Sequence, residues 1–245
     1  MKTVLKITLS LIAVLLFNAC KRTEDVVPEK IDKGVTLKLN IDYKVDGVPL
    51  IFDSIMYTNN AGNTYEVTRL EYYISNITFH STSTKDFAPG KIVYVNAQMP
   101  LTNSITIDSV PKGQYNYITL NIGIDTVHNI SYSLPGTNEN INMAWPAYMG
   151  GGYHFMKFEG NYVYPPSKTG FFIHLGQNCS LVTCIINHPF FVSSSTSEIK
   201  LSMNLNEWFR SPILYDFNVD GYSIMSDKQA RGKIAANGID VFSME

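Results

Sequence analysis

The chain has 245 residues, of which 16% are charged, 45% hydrophobic and 12% aromatic, and its formal net charge is −2. That acidic balance argues against a nucleic-acid partner, because phosphate binding needs a net basic face. The small charged fraction and the abundance of Tyr, Phe, Thr, Asn and Ser favour strands over helices, and the length allows one sizeable all-β domain or two small ones.

Lys2 and Lys6 precede an apolar run at residues 7–17, too short to span a bilayer and suited to a signal-peptide core. The run ends in Leu-Phe-Asn-Ala-Cys, with small Ala19 directly before Cys20. That pattern is similar to a bacterial lipobox. Residues 1–19 are therefore expected to be a lipoprotein signal peptide and Cys20 the acylated mature N-terminus. The alternative is an ordinary secretory signal with an incidental cysteine. No second apolar run of spanning length follows, so the lipid is the expected membrane attachment. Residues 20–34 are charged and contain Pro28, as in a flexible tether. Removing residues 1–19 takes Lys2 and Lys6 from the 19 basic residues, leaving 17 against 21 acidic, a net −4. The expected location is the cell envelope, lipid-anchored at the outer membrane, facing the periplasm or the surface.

From residue 35 the chain is expected to form a single domain to residue 245. Residues 35–43 alternate Val35, Leu37, Leu39, Ile41 and Tyr43 against Thr36, Lys38, Asn40 and Asp42, a half-buried strand. Asp46-Gly47 supplies a hairpin turn with return at 48–52. Asn59-Asn60-Ala61-Gly62-Asn63 is a second turn, before a strand at 65–70. Residues 73–80 alternate again, with Tyr73, Ser75, Ile77 and Phe79 on one face and His80 on the other, where it is expected to be solvated. Short strands follow at 91–96 and 105–107. Pro111-Lys112-Gly113 then turns the chain into 115–125, with Ile118, Leu120, Ile122 and Ile124 sharing a face. Residues 126–144 are polar and irregular, and connections of that length inside a domain tend to be functional; His128 lies there, with a surface role expected. Strands are expected at 153–162, with His154, Met156 and Phe158 on one face, and at 171–176, with Phe172 and His174 on one face. Further strands are expected at 199–205 and near the C-terminus, with a helical turn at Trp208-Phe209. No amphipathic helix stands out. Many short strands joined by Gly, Pro and Asn turns predict an antiparallel β-sandwich of jelly-roll or immunoglobulin-like type, with few or no helices.

Residues 143–162 concentrate the unusual chemistry. Met143, Met149, Met156, His154 and Trp145 surround the triple glycine Gly150-Gly151-Gly152. Thioether sulfur with imidazole nitrogen suits a soft cation, Cu(I) above all. The glycines permit φ > 0 or a close backbone approach. The competing explanation is a Gly-rich loop leading into a strand whose methionines fill core gaps. His154 and His174 fall on strands expected to be neighbours, where cross-strand placement could bring their rings to one ion. The alternative for them is a pair of half-buried histidines bonded to backbone.

With Cys20 lipidated, Cys179 and Cys184 remain as an even pair, expected to form a short-loop disulfide in an oxidising envelope compartment. His174, Cys179, Cys184 and His188 also have the spacing of a conceivable zinc site, although tight sites favour closer cysteines. There is no nucleophile elbow, P-loop or dinucleotide fingerprint, and the carboxylates are scattered, so no enzyme is expected. Exposed Tyr and Trp leave room for a sugar ligand, although aromatic richness is also what sandwich cores carry.

Leu37-Lys38-Leu39-Asn40 with Asp46-Gly47, Tyr57 through Asn63, Leu70-Glu71-Tyr72-Tyr73-Ile74-Ser75-Asn76, Gly123-Ile124-Asp125, Met143-Ala144-Trp145, Gly152-Tyr153 through Gly160, His174-Leu175-Gly176 and Asn237 through Phe242 together carry a resemblance. From about residue 35 onward, the chain resembles the MbnP-like family of copper-binding envelope proteins, associated in methanotrophs with methanobactin operons and common as lipoproteins in Bacteroidota. The resemblance implies an antiparallel sandwich and copper binding without turnover. In the methanotroph relatives a tryptophan oxidised to kynurenine and two histidines hold the metal. Trp145 lies in the matching segment, with His154 and His174 chosen as the imidazoles. Ala147 stands where the motif often has a second Trp or a His, which leaves open a methionine–histidine site using Met149 and Met156, or a member without copper. The expectation is a lipid-anchored copper-binding protein, with copper as Cu(I) and a redox or copper-delivery protein as its partner. The alternative is a surface lipoprotein that docks a partner protein or glycan without metal.

Overall fold

The alternation at residues 35–43 becomes β1 (Val35–Val45), which buries Leu37, Leu39, Ile41, Tyr43 and Val45 and turns Thr36, Lys38 and Asp42 outward. The computed structural model describes residues 34–83 and 85–245. The expected signal peptide, the lipid site at Cys20 and all but the last residue of the tether lie outside the described residues. The remaining strands in chain order are β2 (Val48–Pro49), β3 (Tyr57–Thr58), β4 (Thr64–Ser81), β5 (Val93–Asn96), β6 (Ser104–Val110), β7 (Gly113–Ile122), β8 (His154–Tyr164), β9 (Ser167–Gly176), β10 (Val182–Ile186), β11 (Phe190–Val192), β12 (Glu198–Asn204) and β13 (Phe242–Met244).

These strands form two sheets. The smaller has the order β13-β12-β1-β2, with β6 also on β1; the larger has the order β10-β7-β4-β8-β9, with β11 on β7 and both β3 and β5 on β4. Every strand pair is antiparallel except β1 with β12, which run parallel. The inner faces meet around a core that includes Leu39, Ile107 and Leu201 from the smaller sheet and Tyr72, Leu120, Phe158 and Ile173 from the larger. Tyr43 of β1 and Tyr72 of β4 share a buried hydroxyl–hydroxyl hydrogen bond of 3.0 Å between the sheets. The expected all-β sandwich is therefore the observed architecture, and it closes within one compact unit, Lys33–Glu245.

Two details depart from the expectation, and the α-helices are few, as expected. The strands predicted at 65–70 and 73–80 are one 18-residue strand, β4. It pairs with β8 along its first half and β7 along its second, and its register breaks near Asn76, which takes φ 50. His80 is not solvated: its Nδ1 pairs with Asp86 at 2.7 Å, its Nε2 with Thr119 Oγ1 at 2.9 Å, and its ring stacks on Tyr117. Two helices also occur, α1 (Asn138–Asn142) inside the long connection and α2 (Lys228–Asn237) near the C-terminus. The second is capped by Asp227, whose carboxylate accepts the N–H groups of Gln229 and Ala230. It shows no apolar stripe in sequence because its buried face is Ala230, Arg231, Ile234 and Asn237.

Candidate metal centre

The site is built where the β8–β9 hairpin meets the connection that precedes it. Lys157 pairs with His174, Met156 with Leu175 and His154 with Gly176, and the register slips between His154 and Met156. An extra residue on one strand re-aims the side chains on either side of it. Here the slip places His154 beside His174, with ring centroids 5.2 Å apart and planes at 85°. Met156 falls on the opposite face, fully buried among core side chains. The strict alternation expected for His154, Met156 and Phe158 therefore fails. Met156 is core filler and is not brought to the histidines.

Each imidazole is oriented by a hydrogen bond from one ring nitrogen. His154 Nδ1 lies 3.2 Å from the carbonyl oxygen of Met143, which can only accept, so the proton sits on Nδ1 and Nε2 holds the lone pair. His174 Nε2 lies 2.8 Å from Oε1 of Glu159. Burial alone would raise the Glu159 carboxyl, but the His174 hydrogen bond and the charges of Arg69 and Lys157 outweigh it and hold that carboxyl below its usual range. The ionised carboxylate accepts, so Nε2 of His174 donates and Nδ1 is the ring nitrogen outside that bond. A ligand histidine whose other nitrogen is bound to a carbonyl or carboxylate is the usual arrangement around protein-bound metals. Burial, reinforced by Lys157 and His174, pulls the His154 pKa down to about 3. His154 is therefore neutral at physiological pH and needs to lose no proton to bind a cation.

Trp145 packs against the His154 member of the pair. Its ring lies 4.7 Å from the His154 ring and is only 2% exposed. The indole rests on the Cα of Gly176, where an added Cβ would come within 2.3 Å of a ring carbon. Its Nε1 donates to the carbonyl of Met149 at 3.3 Å, and its backbone N–H donates to Gly152 at 2.9 Å. The triple glycine makes this fold-back possible: Gly150, Gly151 and Gly152 have φ of 106, 69 and 84. Any side chain at Gly152 would also meet Asn129 Oδ1 at 2.4 Å. Met149 is half-buried at the rim of this turn, and its carbonyl also accepts from Gln177 Nε2.

Charges surround the histidines in an ordered way. Arg69 donates to Glu159 at 3.3 Å and to Glu71 at 2.9 Å, so Glu159 lies between His174 and a guanidinium. Lys157 donates to the carbonyl of Asn142 at 2.5 Å, and burial together with Arg69 lowers its pKa. On the other side of Trp145, Arg231 of α2 lies 5.7 Å from the indole centroid. That guanidinium is buried and donates to Gln177 Oε1, Ser180 Oγ and the carbonyl of Met225.

The model of the MbnP family matches residues 34–226. The chain belongs to the MbnP family. The fold is also that of MbnP from Methylosinus trichosporium, with a TM-score of 0.56 and 12% sequence identity over 85% of this chain and 97% of that one. No curated protein matches.

Within this MbnP-family sandwich the expected disulfide is absent: Cys179 and Cys184 are both free. The alternation of β10 turns Cys184 into the core between Val182 and Ile186, where its thiol donates to the Gly238 carbonyl at 3.1 Å and burial raises its pKa strongly. Cys179 is exposed, in the turn at Asn178–Ser180. The zinc alternative fails as well. Among the described residues no three His, Cys, Asp or Glu side chains form a group able to hold a metal, and His188 is exposed. Arg69, Glu159, Gln177 and Arg231 escaped the sequence reading. Glu159 was within reach of it, because β8–β9 pairing puts position 159 two residues from the Lys157–His174 pair and on its face. Arg231 gave no signal, since a buried arginine in a polar helix looks like a solvated one.

Proposed function

We propose that this MbnP-family chain is a lipid-anchored envelope protein that binds copper and takes it up, stores it or passes it on without catalysing a reaction. The observation that carries the reading is the His154–His174 pair: two rings 5.2 Å apart, each with one nitrogen committed to an orienting hydrogen bond and the other outside it. Two imidazole nitrogen donors suit Cu(I), which accepts low coordination numbers, better than zinc, which wants four ligands. Buried Trp145 packs on His154, and half-buried Met149, on the turn that holds Trp145, is the soft donor proposed to join the pair. Anchoring rests on Cys20. No helix among the described residues is long and apolar enough to cross a membrane. The partner that the reading calls for is a redox or copper-delivery protein, and Ile130, Tyr132 and Tyr148 are exposed on the connection that forms the site.

The test is elemental analysis of the protein purified from its native envelope, with competition against a Cu(I) chelator. Stoichiometric copper is expected in the parent. His154→Ala and His174→Ala should each weaken binding at least about tenfold, or about 1.4 kcal/mol. His188→Ala, on the exposed surface, should bind like the parent. A parent that fails to compete for Cu(I) removes the reading. Histidine variants that bind as well as the parent move the site elsewhere.

A further inference from the structure

At the other end of the β8–β9 hairpin, away from the histidines, the inner face of the sheet runs past the end of the core. Tyr162 pairs across the strands with Thr169, and Tyr164 follows two residues later on the same face. The Tyr162 ring is buried and packs 5.1 Å from Phe217, 6.1 Å from Tyr222 and 6.3 Å from Tyr164. Beyond it, Tyr162, Tyr164, Thr169, Asn218 and Tyr222 enclose a cleft of about 160 Å³. That is about the space one pyranose unit occupies.

The chemistry of the lining is selective. None of the five side chains carries a charge at neutral pH, which argues against a phosphate, carboxylate or ammonium ligand. Nor does any of the Tyr162, Tyr164, Tyr222 and Thr169 hydroxyls or the Asn218 side-chain amide make a hydrogen bond to another described residue. Five unused hydrogen-bonding groups therefore surround tyrosine rings that offer flat apolar faces. The walls are also held in place. The Phe172 N–H donates to the Tyr222 carbonyl at 2.5 Å and the Ile224 N–H to the Phe172 carbonyl at 3.2 Å, which ties the Tyr222 segment to β9. The Asn218 turn is fixed by Asp216, whose Oδ1 accepts the Asn218 N–H at 2.9 Å and Asn63 Nδ2 at 3.0 Å. A cleft shaped before its ligand arrives spends less binding energy on ordering.

We propose that this cleft binds a neutral sugar residue, with its apolar C–H face on Tyr164 or Tyr222 and its hydroxyls on Asn218, Thr169 and the tyrosine hydroxyls. The site is separate from the proposed copper centre and does not depend on it. The experiment is saturation-transfer NMR on the full chain with cellobiose, maltose and N,N′-diacetylchitobiose at about 10 mM, the range expected for a single-unit site. At least one should receive transfer at its ring protons. Tyr164→Ala and Tyr222→Ala remove half-exposed side chains at the cleft mouth and should each weaken that signal about tenfold, with copper retention unchanged. Tyr148→Ala, on the exposed turn beside Trp145, should leave it intact. Absence of transfer from all three sugars overturns the proposal. So does transfer that survives both cleft variants, or transfer that Tyr148→Ala abolishes.

Discussion

Replacing Gly176 with alanine tests the seat of the indole. A Cβ there would lie 2.3, 2.4 and 2.8 Å from Cε3, Cζ3 and Cδ2 of Trp145. Contacts of that kind relax only near van der Waals separation, so the ring has to withdraw by about 1 Å. It has little freedom to do so, being bonded to Met149 and Gly152 and packed between His154 and Arg231. Overpacking a well-filled site costs about 1–3 kcal/mol. With a urea slope of about 2–3 kcal/mol per molar, the midpoint should fall by roughly 0.3–1.5 M. The displaced ring also pushes on His154, so Cu(I) affinity should drop by about tenfold or more. Gly232→Ala is the control. It lies within α2 with nothing within 4 Å of the added methyl, and should leave copper binding alone while gaining about 0.5–1 kcal/mol from helix propensity. Urea titration followed by tryptophan emission reads both variants, since Trp208 is the only other fluorophore of its kind. A Gly176→Ala protein with the parent midpoint and emission would refute the packing argument.

The other predictions are separable. Met156→Ala should cost about 2–5 kcal/mol of stability by leaving a core cavity while the copper affinity of the folded fraction stays at the parental value. Met149→Ala should weaken copper binding less than either histidine variant and hardly move the denaturation midpoint; equal effects of the two methionines on copper would contradict their placement. In copper-free protein the folded His154 has a pKa of about 3, against about 6.5 unfolded. The unfolded chain therefore takes up a proton that the folded chain refuses, and stability contributed at neutral pH is lost as pH falls below about 6.5. The loss should reach roughly 2–3 kcal/mol by pH 4.5. His154→Asn, which can still donate to the Met143 carbonyl, should flatten that slope; an unchanged slope would show that His154 is not buried neutral. Peptide mapping after alkylation without reductant should find Cys179 labelled in native protein and Cys184 labelled only after denaturation. Protection of both until reductant is added would restore the disulfide.

Much of this architecture could be seen in the residues. The period-two pattern of β1 marked Leu37, Leu39, Ile41 and Tyr43 as inward, and so they are, because the smaller sheet has water on one side and core on the other. The same rule misled at His154. An extra residue in one strand leaves no trace in composition, so Met156 and His154 looked like same-face neighbours when the slip had separated them. The two histidines could be paired from the hairpin alone. The contacts that orient them could not, because Glu159 owes its role to a charge balance with Arg69 from a strand far away in sequence. Arg231 was hidden for a similar reason. Its helix buries polar groups that neutral acceptors satisfy, and hydrophobic periodicity does not register such a face.

The parallel pairing of β1 with β12 also sets an order of assembly. β2 reaches β1 from the next turn and β6 from the first half of the chain, but Leu39 waits for Ile199 and Tyr43 for Met203. Until that late segment arrives, one edge of β1 presents unpaired backbone beside a row of apolar side chains, the arrangement most prone to mispairing with another chain. Closing so long a loop makes folding slow compared with the hairpin that carries the histidines, which is local. The imidazole pair can therefore come together early, whereas the wall formed by Trp145 and Arg231 is complete only when α2, later still in the chain, has docked. A nascent chain that meets metal ions before that point would hold them on an open hairpin, exposed to exchange. On the copper-binding proposal, tight retention is expected of the finished sandwich alone.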